Sequence, residues 1–166
     1  MAQNNQELLL RLTGSGLEFV VIGGVCCVYY GVQIATFDLD VCCPFDEKSV
    51  RKLESAVRDL HPFHRLTPKR LPFEITSELC SGLKNLYLET DLGRLDCLGD
   101  VAGLGGFEEV RKCSILAALP YGEIRFLQLD SLIRAKEAVG RERDFAALRH
   151  LKPLREKLER KQTPDT

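Results

Sequence analysis

The chain has 166 residues, 45% hydrophobic and 28% charged, which fits one compact domain around a single core and excludes the charge excess of a disordered segment. Twenty-three basic residues against 24 acidic ones leave a formal charge of −1, so there is no global pull toward nucleic acid or an anionic membrane, and any phosphate must be held locally. The longest strongly apolar run, Phe19 to Tyr30, falls short of the roughly 20 residues a membrane helix needs, and no basic-then-apolar leader pattern opens the sequence, so a cytoplasmic protein without membrane association is expected.

Glu7 to Leu12 is leucine-rich and runs into Gly14 and Gly16, which predicts a short helix stopped by glycine. Leu17, Phe19, Val20, Val21 and Ile22 then form a continuous apolar run, the signature of a buried strand. It halts at Gly23 and Gly24, and Val25 to Tyr30 reads as a buried helix ending near Gly31. From Thr36 to Cys43 residues alternate, placing Thr36, Asp38, Asp40 and Cys42 on one face of a strand and Phe37, Leu39, Val41 and Cys43 on the other. Pro44 closes that strand, Asp46 fits an N-cap, and Val50, Leu53, Val57 and Leu60 recur at helical spacing.

His61 to Pro72, rich in proline and basic residues, reads as a surface loop, whose part from His64 to Arg70 is a candidate contact for an RNA or protein acceptor. Phe73 to Thr76 reads as a strand. Asn85 to Glu89 and Arg94 to Leu98 form a hairpin turning over Thr90 to Gly93, with Asp96 on its second arm. Phe107 to Leu119 is expected as a helix, Glu123 to Leu127 as a strand, and Asp130 as the N-cap of a helix closed by Gly140. A last helix starts near Arg141 and should kink or break at Pro153, leaving a polar tail over 161–166. The seven cysteines, with Cys26, Cys27, Cys42 and Cys43 as adjacent pairs in apolar segments, match neither a disulfide framework nor a zinc spacing and read as reduced core residues.

Two carboxylates at i and i+2 on an apolar strand are costly to bury without a compensating cation, and a magnesium ion shared with phosphate oxygens suits such a pair. Glycines where a buried strand passes into a helix let the backbone approach an anion closely. A dinucleotide-binding domain is the wrong reading of that turn, because the stretch Gly23-Gly24-Val25-Cys26-Cys27-Val28 lacks the further glycines of that fingerprint. On the helix after Leu127, Lys136 shares the apolar face of Leu132, Ile133 and Val139. Asp144 likewise falls on the apolar side of the next helix, so opposite charges point inward around Gly140 as an ion pair or an anion-binding group.

The order Gly23-Gly24, then Asp38-Leu39-Asp40, then Asp96 between Leu95 and Cys97 resembles the nucleotidyltransferase superfamily of DNA polymerase β-like fold. The stretch from Leu132 through Arg141, Arg143 and Asp144 is similar to the C-terminal motif of a minimal bacterial branch that includes AbiEii-type toxins. The resemblance implies an α/β (α+β) fold, a small mixed β-sheet flanked by helices with further helices at the C-terminus, in one domain over 1–160. It implies Asp38, Asp40 and Asp96 as the catalytic triad holding Mg2+ or Mn2+, with Gly23, Gly24, Lys136, Arg141 and Asp144 on the nucleotide; Thr36, on the aspartates' face, is a further candidate for a phosphate or sugar. The implied activity is transfer of a nucleoside monophosphate from a nucleoside triphosphate to a hydroxyl on an RNA end, a protein or a small molecule, as a toxin with an antitoxin partner or otherwise. The alternative is a regulatory module that keeps the fold without turnover. The chain departs from the pattern at Gly24, where many members have serine, and at Ala147, where the branch often has aspartate.

Overall fold

The computed structural model describes residues 3–76 and 82–162; the end of the expected tail, 163–166, lies outside the described residues. Helix α1 (Asn5–Gly14) starts where the Asn4 side chain accepts a hydrogen bond from the Glu7 amide, and it buries Leu8, Leu9 and Leu12. Only Val20 and Val21 form strand β1, although Leu17 and Phe19 before them are buried as well. Helix α2 (Gly23–Tyr29) begins directly on the two glycines, with Ile22 as its N-cap, and the chain turns away at Gly31, whose φ is +84°. Strand β2 (Asp38–Cys42) buries Leu39 and Val41 completely, as the alternation requires. Helix α3 (Glu47–Val57) is capped by Asp46, which accepts from the Ser49 amide at 3.0 Å, and Val50, Leu53 and Val57 face the core.

The segment expected as a surface loop instead supplies two short strands, β3 (Phe63–His64) and β4 (Leu71–Pro72), and the strand expected at Phe73 to Thr76 is displaced to β4. Proline is tolerated there because β4 is the sheet edge, where a missing N–H leaves no partner unsatisfied. Strands β5 (Asn85–Thr90) and β6 (Gly93–Leu98) form the expected hairpin, with Thr90 paired to Gly93. A small two-stranded sheet of β7 (Asp100–Val101) and β8 (Gly105–Gly106) follows.

The helix expected over Phe107 to Leu119 stops early: α4 covers Phe107–Lys112, and Ser114–Leu119 is strand β9, paired residue by residue with β10 (Gly122–Leu127). Leucine and alanine favour a helix there, but a full antiparallel ladder overrides that preference. Helix α5 (Leu129–Val139) is closed by Gly140 in the left-handed conformation, as expected. Its N-cap is Gln128 and not Asp130, which sits in the first turn and still favours the helix dipole. Helix α6 (Glu142–Gln162) runs unbroken through Pro153. Leu148 and Leu151 are buried just before the proline and Ala147 beside them, so packing outweighs one lost backbone bond.

The eight-stranded mixed sheet has the order β4-β3-β5-β6-β2-β1-β10-β9, with β1–β10 and β2–β6 parallel. No helix among the described residues is long and apolar enough to cross a membrane. Cys26, Cys27, Cys42, Cys43 and Cys97 are free and buried, in keeping with the expected core role.

Candidate active site

The parallel pairing of β2 with β6 sets Asp40 opposite Asp96 and Asp38 opposite Arg94. Since residues two apart on a strand share a face, the register brings all three aspartates together, and one carboxylate oxygen from each lies within 4.8 Å of the others. Asp96 is only 7% exposed.

Such a cluster of like charges resists ionisation. Burial, then the charges of Asp38 and Asp96, push the Asp40 carboxyl up to about 7, while the Gly24 amide and the Arg143 charge pull the other way. Burial also raises Asp96, against the opposing pull of Arg65. Three hard oxygen donors, only one of them paired directly with a guanidinium, fit a Mg2+ or Mn2+ ion bound through one or two carboxylates and substrate phosphate.

Gly23 has φ +62°, and a Cβ built on it would lie 2.7 Å from Cγ of Asp40. The turn and the second aspartate are thus packed so tightly that only glycine fits. A Cβ on Gly24 would lie 2.7 Å from Oγ1 of Thr36, so the Thr36 side chain fills the space a serine at 24 would need. The Thr36 hydroxyl donates to the Asp38 carbonyl at 2.9 Å and stands beside the glycine turn.

Arg65, placed by the sequence only within the His64 to Arg70 acceptor loop, is a partner of Asp96 that the sequence reading did not foresee. Its Nη2 donates to both Asp96 oxygens at 2.5 and 2.6 Å, its Nε is buried with no hydrogen-bond partner among the described residues, and its amide extends β3 by bonding the Tyr87 carbonyl. The signal available was the alternation of Phe63 and Arg65, masked by the prolines and basic residues around them.

At the far end, Lys136 Nζ pairs with Asp144 Oδ1 at 3.0 Å, with the side chains 11% and 9% exposed. Burial raises the thiol of Cys27 in α2 and Lys136 pulls it back, so the ammonium sits between α2 and Asp144. The Arg141 side chain is exposed, and that residue contributes its backbone N–H to Asp144 Oδ2 at 3.2 Å. Arg143, which the sequence placed in the C-terminal motif without a role of its own, is a cation whose charge bears on Asp40. The residues named from the sequence therefore fall in two groups, Gly23, Gly24, Thr36, Asp38, Asp40 and Asp96 in one and Lys136, Arg141 and Asp144 in the other, and the Cys27 thiol of α2 feels Lys136, Asp144 and Asp40.

No family model matches the sequence, and no curated protein matches it. Among solved structures, the chain is similar to the lincosamide antibiotic adenylyltransferase LnuA, lincomycin-bound, with TM-score 0.60 and 14% identity over 93% of this chain and 99% of that one. The antibiotic-resistance factor ANT(2'')-Ia, in complex with adenylyl-2''-tobramycin, gives TM-score 0.55 and 15% identity over 95% of each chain. A candidate nucleotidyltransferase of Thermotoga maritima gives 0.53 and 19%, over 87% of this chain and 88% of that one. These likenesses establish the architecture: the chain has the nucleotidyltransferase fold.

Proposed function

We propose that the protein transfers a nucleoside monophosphate from a nucleoside triphosphate to an acceptor hydroxyl in a reaction that depends on a divalent cation. The observation that supports this best is the convergence of Asp38, Asp40 and Asp96 from two parallel strands onto one point beside the Gly23-Gly24 turn. These carboxylates would hold Mg2+ or Mn2+, which would neutralise the triphosphate's charge. The Gly23 and Gly24 amides and the Thr36 hydroxyl orient the phosphates, and Lys136, Arg141 and Asp144 form the distal wall of the nucleotide pocket, joined by Arg143. The acceptor oxygen bonds to the α-phosphorus, the bond from that phosphorus to the bridging oxygen breaks, and pyrophosphate leaves in line. The hydroxyl proton passes to a carboxylate oxygen of Asp96.

The bound ligands named for two of the solved likenesses, lincomycin and adenylyl-2''-tobramycin, favour a small molecule over an RNA end or a protein as acceptor. A toxin role with an antitoxin partner is supported only by the resemblance of the C-terminal motif. The test is incubation with each α-labelled triphosphate, Mg2+ or Mn2+, and a cell extract. Label should move to an acceptor with the parent and not with Asp38→Asn or Asp40→Asn, and equal turnover by those variants would remove the triad from the reaction.

A further inference from the structure

The sheet has two ends, and the sequence treats them differently. At one end β4 is two residues long, contains Pro72 and follows Lys69 and Arg70, features that discourage another strand from adding there. At the other end β9 runs from Ser114 to Leu119 as Ser-Ile-Leu-Ala-Ala-Leu, with neither a charge nor a proline. Leu116 on it is 50% exposed, and Ala118 is exposed as well. An edge of this composition is a template for a further strand.

The pairing with β10 fixes which backbone groups of β9 remain open. Gln128 donates its amide to the Cys113 carbonyl at 2.9 Å, and hydrogen-bonded rungs alternate from there, so Ile115, Ala117 and Leu119 bond β10. Ser114, Leu116 and Ala118 therefore turn their N–H and C=O groups away from the sheet. Two copies of β9 set antiparallel about a two-fold axis at Leu116 match these groups completely: Leu116 meets Leu116, and Ser114 meets Ala118 on either side. No other register about a two-fold axis uses all of them.

The side chains agree with that register. Lys112, just before Ser114, and Glu123, opposite Ala118 on β10, are exposed and form no ion pair among the described residues. The pairing sets the Lys112 end of each copy beside the Glu123 end of the other, so opposite charges meet twice. Arg125 lies opposite Leu116, and the two copies' Arg125 residues stay three strand spacings apart, about 14 Å, where salt screens their repulsion. Leu116 also lines a cavity of about 160 Å³ together with Leu17, Phe19 and Phe107, and the second copy's Leu116 adds apolar surface beside it.

We propose that β9 is the contact of a symmetric dimer, in which it pairs antiparallel with β9 of a second copy of this chain about an axis at Leu116. The sheet then runs continuously through both copies. In the strand order β2 and β6, which carry the triad, stand inward of β1 and β10, so neither triad lies on the strand that pairs.

Sedimentation equilibrium from about 1 to 100 μM tests this, with folding of each variant checked by circular dichroism. The parent should reach twice the chain mass and no more, because a two-fold contact closes on itself. Leu116→Lys, a change at a half-exposed side chain, and Ala118→Pro, which removes one outward N–H, should each raise the dissociation constant at least about tenfold. A bismaleimide should join Leu116→Cys into a covalent dimer beyond the parent's background, and Leu71→Cys, on the β4 edge, should not exceed that background. A parent that is monomeric at 100 μM, or one that grows into open-ended assemblies, overturns the proposal. So does a dimer that survives both Leu116→Lys and Ala118→Pro, or one that cross-links through Leu71→Cys and not through Leu116→Cys.

Discussion

Gly23 and Asp40 are packed against one another so closely that no side chain can be added between them: a Cβ at 23 would fall 2.7 Å from Cγ and 2.8 Å from Cβ of Asp40. The glycine also holds a φ of +62°, which L-residues adopt at a cost of about 1–2 kcal/mol. Gly23→Ala is therefore expected to lower the melting temperature by about 2–8 °C. Because the strain is relieved only by moving the turn or the carboxylate, divalent binding should weaken with it. A thermal melt and a Mn2+ titration read the two effects, and unchanged metal affinity would show that the turn and the triad are mechanically independent.

The pH dependence of the metal-free protein follows from the same carboxylate. Burial and its two acidic neighbours hold the Asp40 proton up to about 7, against about 4 in an unfolded chain. Between those values the folded state binds more protons than the unfolded one, so this group's contribution is full below about pH 4 and is lost as pH rises through about 7. Melting temperature without metal should fall from about pH 5 to about pH 8, fall less in Asp40→Asn, and level out when Mg2+ is saturating. A parent and variant with parallel profiles would refute this.

Arg65→Leu removes the cation that Asp96 leans on. With Asp96 only 7% exposed, the metal-free protein should lose about 2–3 kcal/mol of stability. Divalent affinity should rise by about tenfold, since a metal no longer shares Asp96 with a guanidinium. Weaker Mn2+ binding in the variant would mean instead that Arg65 holds Asp96 in the orientation the metal needs.

Lys136→Met leaves Asp144 buried beside the amide of Arg141 with its main partner gone. A loss of about 3 kcal/mol is expected, with partial recovery in the double variant Lys136→Met, Asp144→Leu, whose remaining deficit reflects the lost bond to Arg141. Triphosphate affinity, measured in that double variant so that folding does not obscure it, should fall below the parent's. Unchanged affinity would make the pair a purely structural link between α5 and α6.

What could be read from the sequence depended on how local the determinant was. The alternation from Thr36 to Cys43 fixes which face Asp38 and Asp40 take, because a strand has only two faces and Leu39 and Val41 must be buried. Asp96 was legible as the arm of a hairpin with a glycine-closed turn. Arg65 was not, because β3 is two residues long and is held by pairing with β5, a partner that no local pattern announces. Ser114 to Leu119 was misread for the same reason: its composition favours a helix, and only the ladder with β10 makes it a strand.

The β2–β6 pairing has a consequence for how the site comes into being. The hairpins β5–β6 and β9–β10 join neighbours in sequence and can close early, whereas Asp40 and Asp96 belong to segments separated by α3 and the whole β3–β5 region. Closing so long a loop costs chain entropy, and here it also presses carboxylates against one another. The catalytic face thus exists only once distant segments meet, and the bond from Arg65 to Asp96 offsets part of the carboxylate repulsion that their meeting creates.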